Sequence, residues 1–194
     1  IALIGHNGAG KSTLFLLLSG LQPSWSGEVY LHGKLIRPQE RVFLRQQVAL
    51  VLQNSNYQLF TPSVEDEIAF GLKNIGLREE ALHKRLEELL TRYNLAELRH
   101  KPPHELSEGQ KKWVALVSVL ATDPEVLILD EPTAALDALY TERVLDLLEQ
   151  LHLAGKTIII STHDMELVSR FADRVLLMEA GKLICDRKAP DLWS

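Results

Sequence analysis

Gly5-His6-Asn7-Gly8-Ala9-Gly10-Lys11-Ser12 is the stretch on which the reading of this chain turns. It has the spacing G-x-x-x-x-G-K-[ST], in which glycines let successive backbone N–H groups turn inward around an anion. The helix that follows aims the positive end of its dipole at the same charge. A lysine closing such a loop reaches the outer phosphates of a nucleotide, and the next hydroxyl can ligate Mg2+. The context agrees: Ile1–Ile4 reads as a buried strand before the loop and Lys11–Leu18 as a helix after it. Gly5 to Ser12, with Thr13 beside them, are therefore candidate phosphate-binding residues.

Outward from the loop, short runs rich in Val, Ile and Leu recur between longer segments of helical spacing. Val48–Leu52, Val126–Leu129, Thr157–Ile160 and Val175–Met178 show no alternation, as expected of strands buried on both faces of a largely parallel sheet. In Val29–Ile36 two short strand-like pieces flank His32-Gly33, a hairpin signal. Helices are expected at Val64–Asn74, Glu79–Tyr93, Glu108–Ala121, Leu139–Leu153 and Met165–Phe171. Ser63 with Asp66, and Ser107 with Gln110, have capping-box spacing and mark two helix starts. Strands and helices alternate at both ends, whereas Thr61–Ala121 carries no convincing strand. The expected architecture is α/β: a mainly parallel sheet flanked by helices, with a helical subdomain over 62–122 inserted in it.

Composition narrows the function. The 194 residues are 46% hydrophobic and 24% charged, enough for one domain with one sizeable core. A net charge of −5 gives no electrostatic reason to expect a nucleic-acid partner. The single cysteine, Cys185, excludes an internal disulfide and fits a reducing compartment. No apolar run approaches the ~18 residues of a membrane-spanning helix, so a membrane role has to work through a partner. The chain opens with Ile1-Ala2-Leu3-Ile4 running straight into the glycine loop, without Met or a signal-peptide pattern. It ends in Ala189-Pro190-Asp191-Leu192-Trp193-Ser194, which reads as a helix barely begun. Both ends read as cuts within one domain spanning 1–194.

A second chemical element follows the run Val126-Leu127-Ile128-Leu129, where Asp130 and Glu131 place two carboxylates just beyond a buried strand. Ligands of α/β sheets sit outside the carboxyl ends of the strands, so both acids are expected to face the site that holds Lys11. Asp130 suits Mg2+, directly or through water, and Glu131 suits the polarising of an attacking water as general base. An apolar run ending in Asp-Glu means little alone; its weight comes from the glycine loop upstream.

With these two elements in place the chain resembles the ABC ATPase family, over essentially its whole length and through an ordered set of motifs. Gln53 looks like the family's Q-loop glutamine, and Leu106-Ser107-Glu108-Gly109-Gln110 like its signature, usually written LSGGQ. Ala134-Ala135-Leu136-Asp137 sits where the D-loop belongs, and His163 in Ser161-Thr162-His163-Asp164 matches the switch histidine. The resemblance implies the P-loop NTPase fold of ABC ATPase type, with ATP and Mg2+ as cofactors. It implies ATP binding by Gly5, His6, Asn7, Gly8, Ala9, Gly10, Lys11, Ser12, Thr13 and Gln53, and metal binding by Ser12, Gln53 and Asp130. Glu131 and His163 would be catalytic. Ser107, Glu108, Gly109 and Gln110 would clamp the ATP of a second ATPase subunit, identical or different, and Asp137 would lie at the interface. The aromatic residue that stacks on adenine in the family lies upstream of the glycine loop; Trp25 and Tyr30 are not at that position.

A closer resemblance lies in Gln53-Asn54-Ser55-Asn56-Tyr57-Gln58-Leu59-Phe60-Thr61-Pro62-Ser63-Val64-Glu65-Asp66-Glu67-Ile68-Ala69-Phe70-Gly71 and in Gln110-Lys111-Lys112. These look like the energy-coupling-factor group, the ATPase subunits of importers for vitamins, cobalt or nickel. That resemblance implies a transmembrane scaffold and a substrate-binding membrane subunit as partners, a location at the cytoplasmic face of the membrane, and a groove beside Gln53 for a coupling helix. Two positions depart from the pattern. Glu108 replaces the first glycine of the signature and adds a carboxylate near a phosphate, which should weaken closure. Trp113 stands where the group has Arg, a change expected to act on packing or on a polar contact across the dimer. A soluble ABC ATPase of DNA repair or translation is the alternative. Only 54 residues lead from Gln53 to Ser107, with no heptad run between, which leaves no room for the long coiled coil of the repair proteins. A regulator without turnover is disfavoured by the intact Lys11, Asp130, Glu131 and His163.

Overall fold

A computed structural model describes residues 1–189. The helix start expected over 189–194 lies, but for Ala189, outside the described residues. The chain forms two compact units, the first made of residues 1–50, 125–132 and those from 147 onward, the second of 51–124 and 133–146.

The Val, Ile and Leu runs do become strands. They are β1 (Ala2–Ile4), β2 (Val29–Leu31), β3 (Lys34–Ile36), β4 (Val48–Val51), β5 (Val126–Asp130), β6 (Thr157–Ser161), β7 (Arg174–Glu179) and β8 (Lys182–Lys188). Six of them form one sheet in the order β4-β5-β6-β1-β7-β8, while β2 and β3 pair as a separate hairpin. The pairs β5–β6, β6–β1 and β1–β7 are parallel, and β8 is antiparallel to β7. Ser161 of β6 stands level with Leu3 on one side and Asp130 on the other. That register brings the loops after β1, β5 and β6 out of the same edge of the sheet, the edge where α/β folds hold ligands.

The helices are α1 (Lys11–Leu18), α2 (Arg41–Gln47), α3 (Val64–Asn74), α4 (Glu79–Arg92), α5 (Glu108–Leu120), α6 (Ala138–Leu153) and α7 (Met165–Phe171). In the first unit Leu3, Phe15, Ile36, Leu44, Ile128 and Met178 share one buried cluster. Phe15 is wholly buried, so α1 is pinned by its inner face while its first turn stays at the sheet edge. Gly5 has a φ of +150°, and a Cβ there would lie 2.3 Å from the carbonyl oxygen of Met178. Only glycine lets the loop pass β7 so closely.

Two elements are absent from the sequence reading. α2 buries only Leu44, so its apolar stripe is one residue wide and gives no helical period. β8 is an edge strand with mostly exposed residues, held by backbone pairing and by the Arg174 fork on Asp186, whose Nε donates at 2.7 Å. Neither leaves the hydrophobic pattern by which strands and helices are read.

In the second unit α3 packs against α4 and α5. Its buried residues recur at helical spacing: Val64, Ile68 and Leu72 on α3, Leu86, Leu89 and Leu90 on α4. Ser107 and Gln110 form a reciprocal capping box at the start of α5. Ser63 caps α3 differently, accepting from the Asp66 N–H while its hydroxyl donates to the Asp66 carboxylate at 2.6 Å. Trp113 belongs to the packing of this unit. It is 7% exposed, its indole N–H donates to the Tyr93 carbonyl at 2.9 Å, and the two rings meet edge to face. Trp113→Ala removes that ring and leaves a carbonyl without its donor, so it should cost about 3–5 kcal/mol. Thermal melting of the full-length protein reads this directly.

Candidate functional site

The first unit assembles its candidate residues through the strand register. β1 delivers the glycine loop, in which His6, Asn7 and Gly8 are exposed, followed by exposed Ser12 and Thr13. Lys11 is 7% exposed and donates from Nζ to the carbonyls of Gly5 at 2.6 Å and His6 at 3.2 Å. The ammonium is thus held by the same loop whose amides would surround a phosphate. The Ser12 hydroxyl donates to Asp130 Oδ2 at 2.6 Å, which joins α1 to the end of β5.

Ser161 is the residue whose role the sequence reading missed. Its hydroxyl donates to Asp130 Oδ1 and accepts from the Glu131 backbone N–H at 3.0 Å. The signal was its place in Ser161-Thr162-His163-Asp164, at the end of the strand next to β5. Glu131 itself takes a left-handed backbone, φ 48°, where the chain turns out of the sheet.

His163, Glu131 and Asn7 converge. His163 Nε2 lies 3.1 Å from Asn7 Oδ1 and 3.1 Å from Glu131 Oε1. Of these two contacts only the one to Asn7 has hydrogen-bond geometry. Glu131 Oε1 therefore stands at ion-pair distance without being hydrogen-bonded, and it is buried with no hydrogen-bond partner among the described residues. Folded proteins rarely leave a buried carboxylate oxygen in that condition unless a further group completes it.

These residues suit a magnesium nucleotide. The hydroxyl of Ser12 and the carboxylate of Asp130, in contact with each other, are hard oxygen donors of the kind Mg2+ takes in small number, with phosphate and water supplying the rest. The unsatisfied Glu131 oxygen is an acceptor beside the His163 ring nitrogen that also reaches Asn7 of the glycine loop.

Gln53, Ser107, Glu108, Gly109, Gln110 and Asp137 lie in the second unit. There one cleft is lined by Gln53, Asn56, Glu108, Lys112 and Leu136. Lys112 donates to the carbonyls of Gln53 at 2.5 Å and Leu52 at 3.2 Å, so α5 grips the backbone that follows β4. Asp137 Oδ1 accepts from the Tyr140 N–H at 2.8 Å at the start of α6. The Tyr140 ring lies over Gly109 so closely that a Cβ there would sit 2.5 Å from it.

Comparison with known proteins gives the family and the fold. The sequence model of the ABC transporter family matches residues 1–134. The Energy-coupling factor transporter ATP-binding protein EcfA of Methanocaldococcus jannaschii is 44% identical, covering 100% of this chain and 70% of its own length. The protein of the same description from Methanococcus maripaludis is also 44% identical, covering 95% of this chain and 67% of its own. Among solved structures, a CbiO protein from Clostridium perfringens, described as part of the ABC transporter complex CbiONQ, superposes with a TM-score of 0.85. It is 39% identical, over 99% of this chain and 78% of that one. An ATP-binding cassette in a dimeric post-hydrolysis state with ADP and Pi has a TM-score of 0.83 at 27% identity, over 97% of this chain and 84% of that one.

Proposed function

The chain belongs to the ABC transporter family, and from that premise we propose that it is the ATP-hydrolysing motor of an energy-coupling-factor importer. The observation that carries the reading is the buried, unsatisfied Glu131 oxygen beside His163, at the edge that also holds Lys11, Ser12 and Asp130. The glycine-loop amides and Lys11 bind the phosphates of ATP. Ser12 and Asp130 would hold Mg2+, which when bound would neutralise charge on the transferring phosphoryl group. Glu131 takes a proton from water, and His163, oriented by Asn7, holds that water in line. Ser107 to Gln110 present the first turn of α5 to the nucleotide of a second subunit, with Asp137 at the contact.

The motor works at the cytoplasmic face of a membrane through other proteins: a second ATPase subunit, a transmembrane scaffold and a substrate-binding membrane subunit. Among the described residues no helix is long and apolar enough to cross a membrane. The second unit offers a face for the scaffold. Tyr57 is 82% exposed and Phe60 67%, and Phe60 meets Phe70 edge to face at 5.0 Å. Phe60 is held outward by its neighbours. Gln58 accepts from the Leu52 N–H and donates to the Ala115 carbonyl, both at 3.1 Å. The buried Glu67 carboxylate accepts from the N–H groups of Phe60 and Thr61, both at 3.2 Å. A fixed, exposed aromatic pair suits an apolar helix docking in a groove.

The test is reconstitution of the full-length protein with its membrane partners in vesicles. Phe60→Ala should weaken assembly by about 2 kcal/mol, the scale of an aromatic anchor, and stop ATP-driven uptake. Unchanged assembly and uptake would remove this face from the reading.

A further inference from the structure

Glu108 is the position at which the signature departs from its family, and it places a carboxylate in the first turn of α5. The capping box there uses the N–H groups of Ser107 and Gln110, not those of Glu108 and Gly109. A lone negative charge beside those amides would oppose the approach of a triphosphate. The structure puts a cation against it: Lys111, one turn along α5, sets its ammonium 2.8 Å from Glu108 Oε1. The Lys111 side chain is only 13% exposed, so its stem is packed, while Glu108 is 60% exposed.

The adjacent Lys112 adds its charge but donates its hydrogen bonds to the Leu52 and Gln53 carbonyls. Protonation does not remove the Glu108 charge. The hydrogen bond from Lys111, with help from Asn56 and the charges of Lys111 and Lys112, holds that carboxyl below the usual range. Near neutral pH the carboxylate stays ionised, and compensation has to come from a cation.

We propose that Lys111 is a positioning residue that keeps the signature able to receive a nucleotide triphosphate despite Glu108, the two forming a pair of no net charge at the tip of α5. This deepens the reading of Ser107–Gln110 as the contact to the second subunit's ATP and rests on it. The pair makes the sign of the tip's field depend on which member is removed. Without Lys111 the tip is negative and repels the nucleotide; without Glu108 it is positive and attracts it. Removing both restores a neutral tip.

The experiment uses the full-length protein with its paired ATPase subunit, carrying Glu131→Gln so that bound ATP persists. ATP-dependent association of the two subunits is followed by light scattering across an ATP titration, with melting curves run on every variant. Lys111→Met should raise the ATP concentration for half-maximal association about tenfold, the scale of one unit charge across a partly screened contact. Glu108→Gln should lower it by several-fold, and the double variant should return to within about threefold of the parent, a coupling that independent sites would not show. Lys111→Arg should keep the parent value, and added salt should shrink the Lys111→Met defect. If the double variant stays as impaired as Lys111→Met, or if Lys111→Met associates like the parent, charge compensation is wrong. If the parent itself fails to associate with ATP, the signature reading falls first and takes the proposal with it.

Discussion

Glu131→Gln in the full-length protein is expected to bring steady-state ATP turnover down by about 10²–10⁴, the range contributed by a general base, while ATP stays bound. The side chain is almost isosteric, so the contacts that hold the nucleotide do not change. The lost property is the ability to accept a proton. Glu131 Oε1 is buried beside His163 and lacks a hydrogen bond, the condition of an acceptor that a bound water would complete. An amide at the same spot keeps an acceptor oxygen but is far too weak a base. With hydrolysis blocked and binding intact, the two subunits should accumulate in their ATP-bound, associated form. Phosphate release assays and size-exclusion chromatography with ATP read the two effects. Wild-type turnover by this variant would eliminate Glu131 as the base and leave His163 to be considered in its place.

Lys11→Ala should have the other large effect, on affinity. Lys11 Nζ is held by the Gly5 and His6 carbonyls, centred in the loop whose amides would face the phosphates. A charge-assisted hydrogen bond contributes about 1.5–3 kcal/mol, which corresponds to roughly 10- to 100-fold in dissociation constant. The loss should be larger than that single figure. Without the ammonium, the two carbonyls it ties down turn their partial negative charge toward the phosphates. Calorimetric titration of the full-length variant with ATP tests this, and wild-type affinity would contradict the assignment of the loop. Lys11→Arg separates charge from shape, because the larger guanidinium cannot enter a site in which Lys11 is only 7% exposed.

The folding pattern was largely legible from hydrophobic runs. Lys11–Leu18, Val64–Asn74 and Met165–Phe171 form the helices their spacing predicts, and the unbroken Val/Ile/Leu runs become strands of one sheet. What was not legible shares a physical cause. α2 and β8 bury too little apolar surface to write a period into the chain. The joining of residues 133–146 to the helical 51–124 unit depends on contacts between segments distant in sequence. The same holds for Trp113. An aromatic in place of Arg could act inside the unit or across a dimer, and its hydrogen bond to the Tyr93 carbonyl places it inside.

The chemistry divides in the same way. Which groups are present was settled by local order along the chain: a glycine loop needs its glycines, its lysine and its hydroxyl within a few residues, and the acids follow a buried strand directly. Tertiary structure decided which of these groups meet. Ser12 reaches Asp130, and His163 reaches both Asn7 and Glu131, only because parallel pairing holds Leu3, Ser161 and Asp130 level and sends three loops out of one edge. Strand order and register arise from long-range packing, and no window of sequence short enough to read as a motif contains them.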